Sequence, residues 1–272
     1  MCTNKISEEG LEGVDLSSWK VAFNGSEIIQ KNTLERFHSK FKKYGFNRTS
    51  FLPCYGLAEG TLFVSGVKAE DQYTVDFHKD NKNNTFELVG CGQTFLDQKI
   101  KIISEIDGSA CEEGVVGEVC INGKSTTLGY WKKKNDNLFS GKYLRTGDLG
   151  YLKKGQLYIC GRIKELIISH GKNFYPTDIE RIIQVNHPDL RKNCGASFSV
   201  EDKHLVIIQE MERSSVKKIN LNAVKLSIQN TLNESLGLSA RDIILTKPGA
   251  IKKTSSGKVK RVLMKELYLK ND

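Results

Sequence analysis

Asp148 lies in the segment Tyr143-Leu144-Arg145-Thr146-Gly147-Asp148-Leu149-Gly150. A carboxylate in a tight turn after a strand is placed to accept hydrogen bonds from both hydroxyls of a ribose. One hairpin later comes Gly161-Arg162-Ile163-Lys164-Glu165, where Arg162 could reach the same sugar. Either segment alone says little; the pair, in this order and this close, is specific. Upstream, Pro53-Cys54-Tyr55-Gly56-Leu57-Ala58-Glu59-Gly60-Thr61 packs an aromatic ring, a glycine and a carboxylate into one turn. Such a turn could stack a base on Tyr55, bring a phosphate to the backbone at Gly56 and leave Glu59 to hold Mg2+ through oxygen. It reads equally as a helix N-terminus with an ordinary acidic first turn.

Two further segments have the same double character. Phe23-Asn24-Gly25-Ser26-Glu27 would let a flat ligand lie against bare backbone at Gly25, with Ser26 as its hydrogen-bond partner. By itself it is as readily a plain strand-to-helix turn. Lys253-Thr254-Ser255-Ser256-Gly257-Lys258 contains a Gly-Lys pair but lacks the glycine spacing of a P-loop. A flexible Ser-Ser-Gly loop could instead present Lys258 to a phosphate whose negative charge grows in a transition state. A solvated lysine loop is the competing reading.

The elements that must carry these residues fall into three textures. Up to about Tyr44 there is a strand, Val21–Phe23, and a helix with Leu34, Phe37, Phe41 and Tyr44 at helical spacing, capped by Asn32 and closed by Gly45. One strand and one helix cannot bury both their faces. From Ser50 to about Tyr158 the pattern predicts short strands at Phe86–Val89, Lys99–Ile103, Val116–Ile121 and Leu157–Ile159, forming a small distorted β-barrel or sheet. The polar stretch Lys68–Asn84 reads as an exposed excursion between strands. A break near Gly161 separates a last stretch, with strands at Leu166–Ser169, Ala196–Val200, Leu205–Gln209 and Ile243–Leu245. Its helices are expected near Thr177, over Val216–Leu236 and after Gly257. The class is therefore α/β (α+β), divided as 1–160 and 161–272, the second part being a small α/β domain of ordinary size.

Bulk properties exclude several classes. The 272 residues, 39 % hydrophobic, contain no apolar run near the roughly 20 residues that span a bilayer, so no integral membrane association is expected. The polar start reads as neither a signal nor a transit peptide. Seven cysteines without a CxxC pair suit reduced thiols in a cytoplasmic protein rather than disulfides or a zinc site. The net charge of +9 invites nucleic acid, but the lysine runs lack interleaved aromatics, and a basic surface equally suits ATP or an acidic carrier protein.

Taken together, the segments resemble the adenylate-forming superfamily of acyl-CoA synthetases, peptide-synthetase adenylation domains and luciferases. The resemblance covers nearly the whole chain. Tyr55-Gly56-Leu57-Ala58-Glu59, Arg162-Ile163-Lys164 and Gly171-Lys172-Asn173-Phe174-Tyr175-Pro176 are most similar to the fatty acyl-AMP ligases. Ala58 stands where many acyl-CoA synthetases carry threonine. The resemblance implies that Gly25, Ser26 and Tyr55 frame the adenine, Glu59 ligates Mg2+, and Asp148 and Arg162 hold the ribose. It places Lys164 at a hinge and makes Lys258 the lysine that assists adenylation. It also implies that the small C-terminal domain swings about the hinge between two poses. The excursion Lys68–Asn84 falls where acyl-AMP ligases carry an insertion that restrains this swing, although it is short for it.

The implied reaction turns a fatty acid and ATP into acyl-AMP and pyrophosphate, and passes the acyl group to an acyl carrier protein or a polyketide synthase carrier domain. The alternatives are a long-chain fatty acid–CoA ligase and a non-catalytic relic that binds a carrier protein. A peptide-synthetase-type adenylation domain is disfavoured by Ala58. Family members are about twice this length, and their Ser/Thr/Gly-rich phosphate loop has no counterpart in this sequence. The chain is therefore expected to be the C-terminal portion of such an enzyme: the end of its large domain, then its mobile lid. By itself it is expected to be inactive, with the stretch before Gly161 poorly packed.

Overall fold

The computed structural model describes residues 2–79, 85–169, 171–201, 204–216, 220–255 and 257–271. The chain divides into two compact units, the first within residues 1–78 and 85–163 and the second within 164–272.

The first unit opens with the short helix α1 (Cys2–Lys5), the strand β1 (Ala22–Asn24) and the helix α2 (Lys31–Phe41). Gln30, not Asn32, is the N-cap of α2, and its side chain makes no capping bond. Asn32 is thus inside the first turn. The helix tightens into a 3-10 turn that Gly45 ends in the left-handed conformation, φ +87°, which glycine adopts without a Cβ clash. Leu34 and Phe41 of α2 pack with Phe46 and Phe51 in one buried cluster, against an edge-to-face set of rings including Trp19 and Phe37.

Strand β2 (Phe51–Tyr55) runs parallel to β1; β3 (Ser65–Gly66) follows, antiparallel to β2. The stretch expected to be a plain exposed excursion contains the strand β4 (Val75–Lys79), which pairs with β5 (Thr85–Val89) just beyond it; residues 80–84 lie outside those described. The excursion is fastened down. Tyr73 is buried, Asp76 accepts from Tyr151 (2.8 Å) and Lys153 (2.7 Å), and Tyr158 donates to Thr74 (2.9 Å). The strand β6 (Gln93–Thr94) then joins β3 to complete the order β1-β2-β3-β6.

A curled half-barrel completes the unit. Its strands are β7 (Lys99–Ile103), β8 (Gly117–Asn122), β9 (Phe139–Ser140), β10 (Tyr143–Lys153) and β11 (Gln156–Arg162), in the order β11-β10-β8-β7 with β9 on β10. Val119, Ile121, Leu144 and Leu157 fill its inside, in a cluster that Tyr55 joins. Strand β10 is longer than any the sequence pattern suggested, because it carries Arg145-Thr146-Gly147-Asp148 as a bulge rather than ending in a turn before it.

The division falls within a 3-10 turn, Ile163–Glu165, and the second unit continues with the hairpin β12 (Ile167–Ser169) and β13 (Lys172–Phe174). Helix α3 (Pro176–Asn186) follows, with proline at its first position. Strands β14 (Leu190–Val200), β15 (His204–Met211) and β16 (Ala240–Thr246) form one sheet, antiparallel then parallel. Both faces are covered, as the residues of β15 show by alternating: Leu205 and Ile207 meet α3 and α4 (Leu221–Leu236), while Val206 and Ile208 meet α5 (Arg261–Asn271). Helix α4 sends Val224, Ile228, Leu232 and Leu236 inward at four-residue spacing. Asn220 caps its start, accepting from the amides of Asn222 and Ala223, and Gly237 ends it at φ +66°.

Candidate functional site

Asp148 and Arg162 face each other across the β10/β11 pair, as register partners. Directly opposed residues on antiparallel strands hold their side chains within reach, which is why an ion pair forms here. Arg162 Nε donates to Asp148 Oδ1 at 2.6 Å. On the other side, the Tyr55 hydroxyl donates to Oδ2 at 2.8 Å. Asp148 is 7 % exposed and Tyr55 8 %, whereas the Arg162 side chain is 60 % exposed. Burial, and then the neighbouring Asp148 carboxylate, push the Tyr55 phenol well above its ordinary range, so it remains a donor. Each carboxylate oxygen has a second lone pair available, so the bracket orients Asp148 without exhausting it as an acceptor.

The bulge that aims Asp148 is itself held from below by a residue the sequence reading did not single out. Glu118 of β8 is buried and accepts from Arg145 Nε (2.6 Å) and from the backbone amide of Gly147 (2.9 Å). That bond raises the Arg145 pKa further, so the guanidinium stays charged. Thr146 donates to the Val119 carbonyl (2.6 Å) and accepts from the amide of Asp148 (3.1 Å). Gly147 sits at φ +72°, which a side chain would strain. No local pattern marks Glu118, because its partners are 27 and 29 residues away.

The turn after β2 places Glu59 in a 3-10 turn, Ala58–Gly60. Its Oε1 accepts from the Tyr130 hydroxyl at 2.5 Å, and that bond lifts the Tyr130 pKa. Tyr130, like Glu118, was not visible as a site residue in the sequence. Thr61 (φ +54°) and Leu62 (φ +83°) both take the left-handed conformation, unusual for residues with a Cβ. The reason that Gly56 is glycine lies inside this turn. A Cβ there would stand 1.5 Å from the Leu62 carbonyl oxygen, so the space is filled by the chain's own return. Gly25 is similar: its missing side chain would meet the carbonyl of Cys54 at 2.9 Å, on the neighbouring strand. Ser26 beside it is at φ +72°. Tyr55, Asp148 and Arg162 are thus joined by direct contacts, while Glu59 is fixed by Tyr130 at the other end of the turn that begins at Gly56.

Among the described residues, no group of three or more His, Cys, Asp or Glu side chains comes together as a metal cage. The half-buried Glu59 carboxylate, engaged through one oxygen by Tyr130, still fits Mg2+. That ion commonly takes one or two carboxylates, with water and substrate phosphates completing its octahedron.

Lys164 is the first residue of the second unit and sits in the 3-10 turn Ile163–Glu165. Lys258 also belongs to the second unit. Its loop carries two bonds across its base: Thr254 donates its amide to the Lys258 carbonyl (2.8 Å), and the Lys258 amide returns to the Thr254 hydroxyl (3.0 Å). Ser256 lies outside the described residues. No helix among the described residues is long and apolar enough to cross a membrane.

A family profile described as AMP-binding enzyme matches residues 1–131, and one described as Disco-interacting protein 2-like, AMP domain, matches residues 164–272. A medium-chain-fatty-acid–[acyl-carrier-protein] ligase, JamA, of Moorena producens is 35 % identical over 98 % of this chain and 50 % of its own length. Among solved structures, one from studies of the fatty acyl-adenylate ligases of E. coli and L. pneumophila matches with a TM-score of 0.88 and 31 % identity, over 99 % of this chain and 51 % of the other. The fatty acyl-adenylate ligase of L. pneumophila, solved with acyl adenylate and pyrophosphate, is 34 % identical with a TM-score of 0.59, over 98 % of this chain and 51 % of the other. The chain spans about half the length of the relatives it matches.

Proposed function

This chain belongs to the adenylate-forming AMP-binding family, among enzymes of the fatty acyl-AMP ligase type, and from there we propose a two-step activity for the whole protein. In the first step a fatty acid carboxylate oxygen attacks the α-phosphorus of ATP in line. The bond from that phosphorus to the bridging oxygen breaks, and pyrophosphate leaves. In the second, the thiol sulfur of a carrier protein attacks the acyl carbonyl; AMP leaves and the thiol proton passes to solvent. Positioning and charge neutralisation are the protein's contributions to such a reaction.

The observation that supports this reading best is the Asp148 carboxylate, buried and bracketed by Tyr55 and Arg162. In our reading it accepts the two ribose hydroxyls while Arg162, the exposed member, closes over the sugar. Tyr55, Gly25 and Ser26 frame the adenine edge, and Gly56 keeps the turn tight enough for phosphate to approach. Glu59, oriented by Tyr130, holds Mg2+, which when bound neutralises phosphate charge. Lys258 brings a further positive charge to the reacting phosphate. The second unit turns about Lys164 between the two steps, a reading supported by the division of the chain at that residue. All seven cysteines are free thiols, which supports a reducing compartment such as the cytoplasm.

Product analysis tests the proposal. The full-length protein is incubated with a medium-chain fatty acid, ATP and Mg2+, with CoA or a carrier protein supplied separately. Acyl-AMP that ignores CoA and loads the carrier is the expected result. Acyl-CoA would move the protein to the CoA-using branch, and absence of any acyl-AMP would leave a binding role.

A further inference from the structure

Lys258 stands on the return arm of a short hairpin. Lys260 donates its amide to the Lys252 carbonyl (2.9 Å), Lys253 pairs with Val259, and Thr254 pairs with Lys258. Both stems of this hairpin are held by buried carboxylates from different elements. On the entering side, Glu210 of β15 accepts the amides of Gly249 (2.8 Å) and Ile251 (2.9 Å) through one oxygen and Arg191 (2.8 Å) through the other. On the leaving side, Arg261 grips Glu180 of α3 with two nitrogens (3.0 and 2.8 Å) and Glu165 with a third (3.1 Å). Glu180 is further fixed by the amide of Ser197 in β14 (2.8 Å).

We infer that Glu210 and Arg261 are positioning residues for Lys258, holding the two stems of its hairpin so that the lysine backbone is fixed on the second unit before substrate binds. A charge that must act on a developing transition state does so best when it is already placed, because no reorganisation is then required during the reaction. Two independent buried carboxylates, each accepting three hydrogen bonds, bonded to a thirteen-residue stretch (249–261) are hard to explain by packing alone. The planar fork of Arg261 is the part that lysine cannot replace, since it serves two carboxylates at once. The inference rests on the role proposed above for Lys258, but the hold on the hairpin does not.

The test has a kinetic arm and an exchange arm. In the full-length protein, Arg261→Lys keeps the charge and loses the fork. It is expected to lower kcat for acyl-AMP formation by about tenfold to a hundredfold, the scale of a small misplacement, while KM for ATP moves less than about twofold. In a Lys258→Ala background the same substitution is expected to change the rate by less than about twofold, because both act through one group. An equal loss in both backgrounds would overturn the inference. In this chain, hydrogen exchange at the amides of Ile251, Lys258 and Lys260 is read for Arg261→Lys and for Glu210→Gln, against Ile207 as a core reference. About tenfold faster exchange confined to the hairpin is expected; wild-type protection in both variants would overturn the hold itself. Unchanged adenylation by Lys258→Ala would instead refute the role of the lysine, leaving the exchange arm to decide the hold.

Discussion

Replacing Asp148 by asparagine separates the proposed nucleotide site from the fold that carries it. The change keeps the shape and the acceptor for the Tyr55 hydroxyl, and removes one charge and one acceptor oxygen. The Arg162 side chain is 60 % exposed, so on losing its partner it regains water, and the cost to stability is that of a half-exposed ion pair, about 1 kcal/mol or less. The cost to the nucleotide is larger. Two ribose hydroxyls donating to a carboxylate contribute about 1.5–3 kcal/mol each, and an asparagine retains one neutral acceptor worth about 1 kcal/mol. The net loss is about 2–5 kcal/mol, which corresponds to roughly 30- to 5000-fold in nucleotide affinity. Steady-state adenylation over a range of ATP, with urea unfolding of the same protein, reads both quantities. An Asp148→Asn protein whose KM for ATP stays within threefold of wild type would refute the reasoning. So would one whose loss of activity is matched by a loss of several kcal/mol in stability, since the carboxylate would then be a structural anchor.

Other consequences follow from single contacts. Gly56→Ala places a carbon on the Leu62 carbonyl and is expected to cost about 1–3 kcal/mol or more, visible as a lower urea midpoint; an unchanged midpoint would mean that the turn has room to open. Glu210 gives a pH signature. Burial opposes its ionisation, but the Ile251 amide, Arg191 and the Gly249 amide outweigh burial and hold the carboxyl below its ordinary range. Its stabilisation is therefore complete above the unfolded value of about 4.3 and lost as pH falls through the lower folded value. Urea midpoints between pH 3 and 7 should show an acid slope that Glu210→Gln flattens; parallel profiles would count against it. Finally, the sequence lacks a Ser/Thr/Gly-rich phosphate loop, so this chain by itself should release no fatty-acid-dependent pyrophosphate. Robust release would show that the reaction needs no such loop.

Much of the fold was legible because alternation and helical spacing are local. Lys99–Ile103 stands where its pattern put it, and the strands of the second unit extend those read from Ala196–Val200 and Leu205–Gln209 by a few residues. The losses share a cause. Gly147 read as a turn, but the pairing of β10 with β8 and β11 carries the strand through it as a bulge. Asn32 read as a cap by type, while the cap is Gln30, two residues earlier, with no capping side-chain bond. Gly25 and Gly56 read as bare backbone for a ligand; the structure shows what else their lack of a side chain accommodates, Cys54 and Leu62. Composition around Ser-Ser-Gly also cannot show the carboxylates at positions 180 and 210, which bond the two stems of that loop. Glu118 and Tyr130 were missed for the same reason, since their partners lie 27 to 71 residues away in sequence.

The measurement that bears most directly on the central claim compares AMP with 2′,3′-dideoxy-AMP by calorimetry, on the full-length protein and its Asp148→Asn variant. If the bracket of Tyr55, Asp148 and Arg162 holds a ribose, the wild type should favour AMP by at least about thirtyfold, and the variant should keep no more than about a fivefold preference. Equal binding of the two nucleotides by the wild type would contradict the account, whatever the products of the reaction.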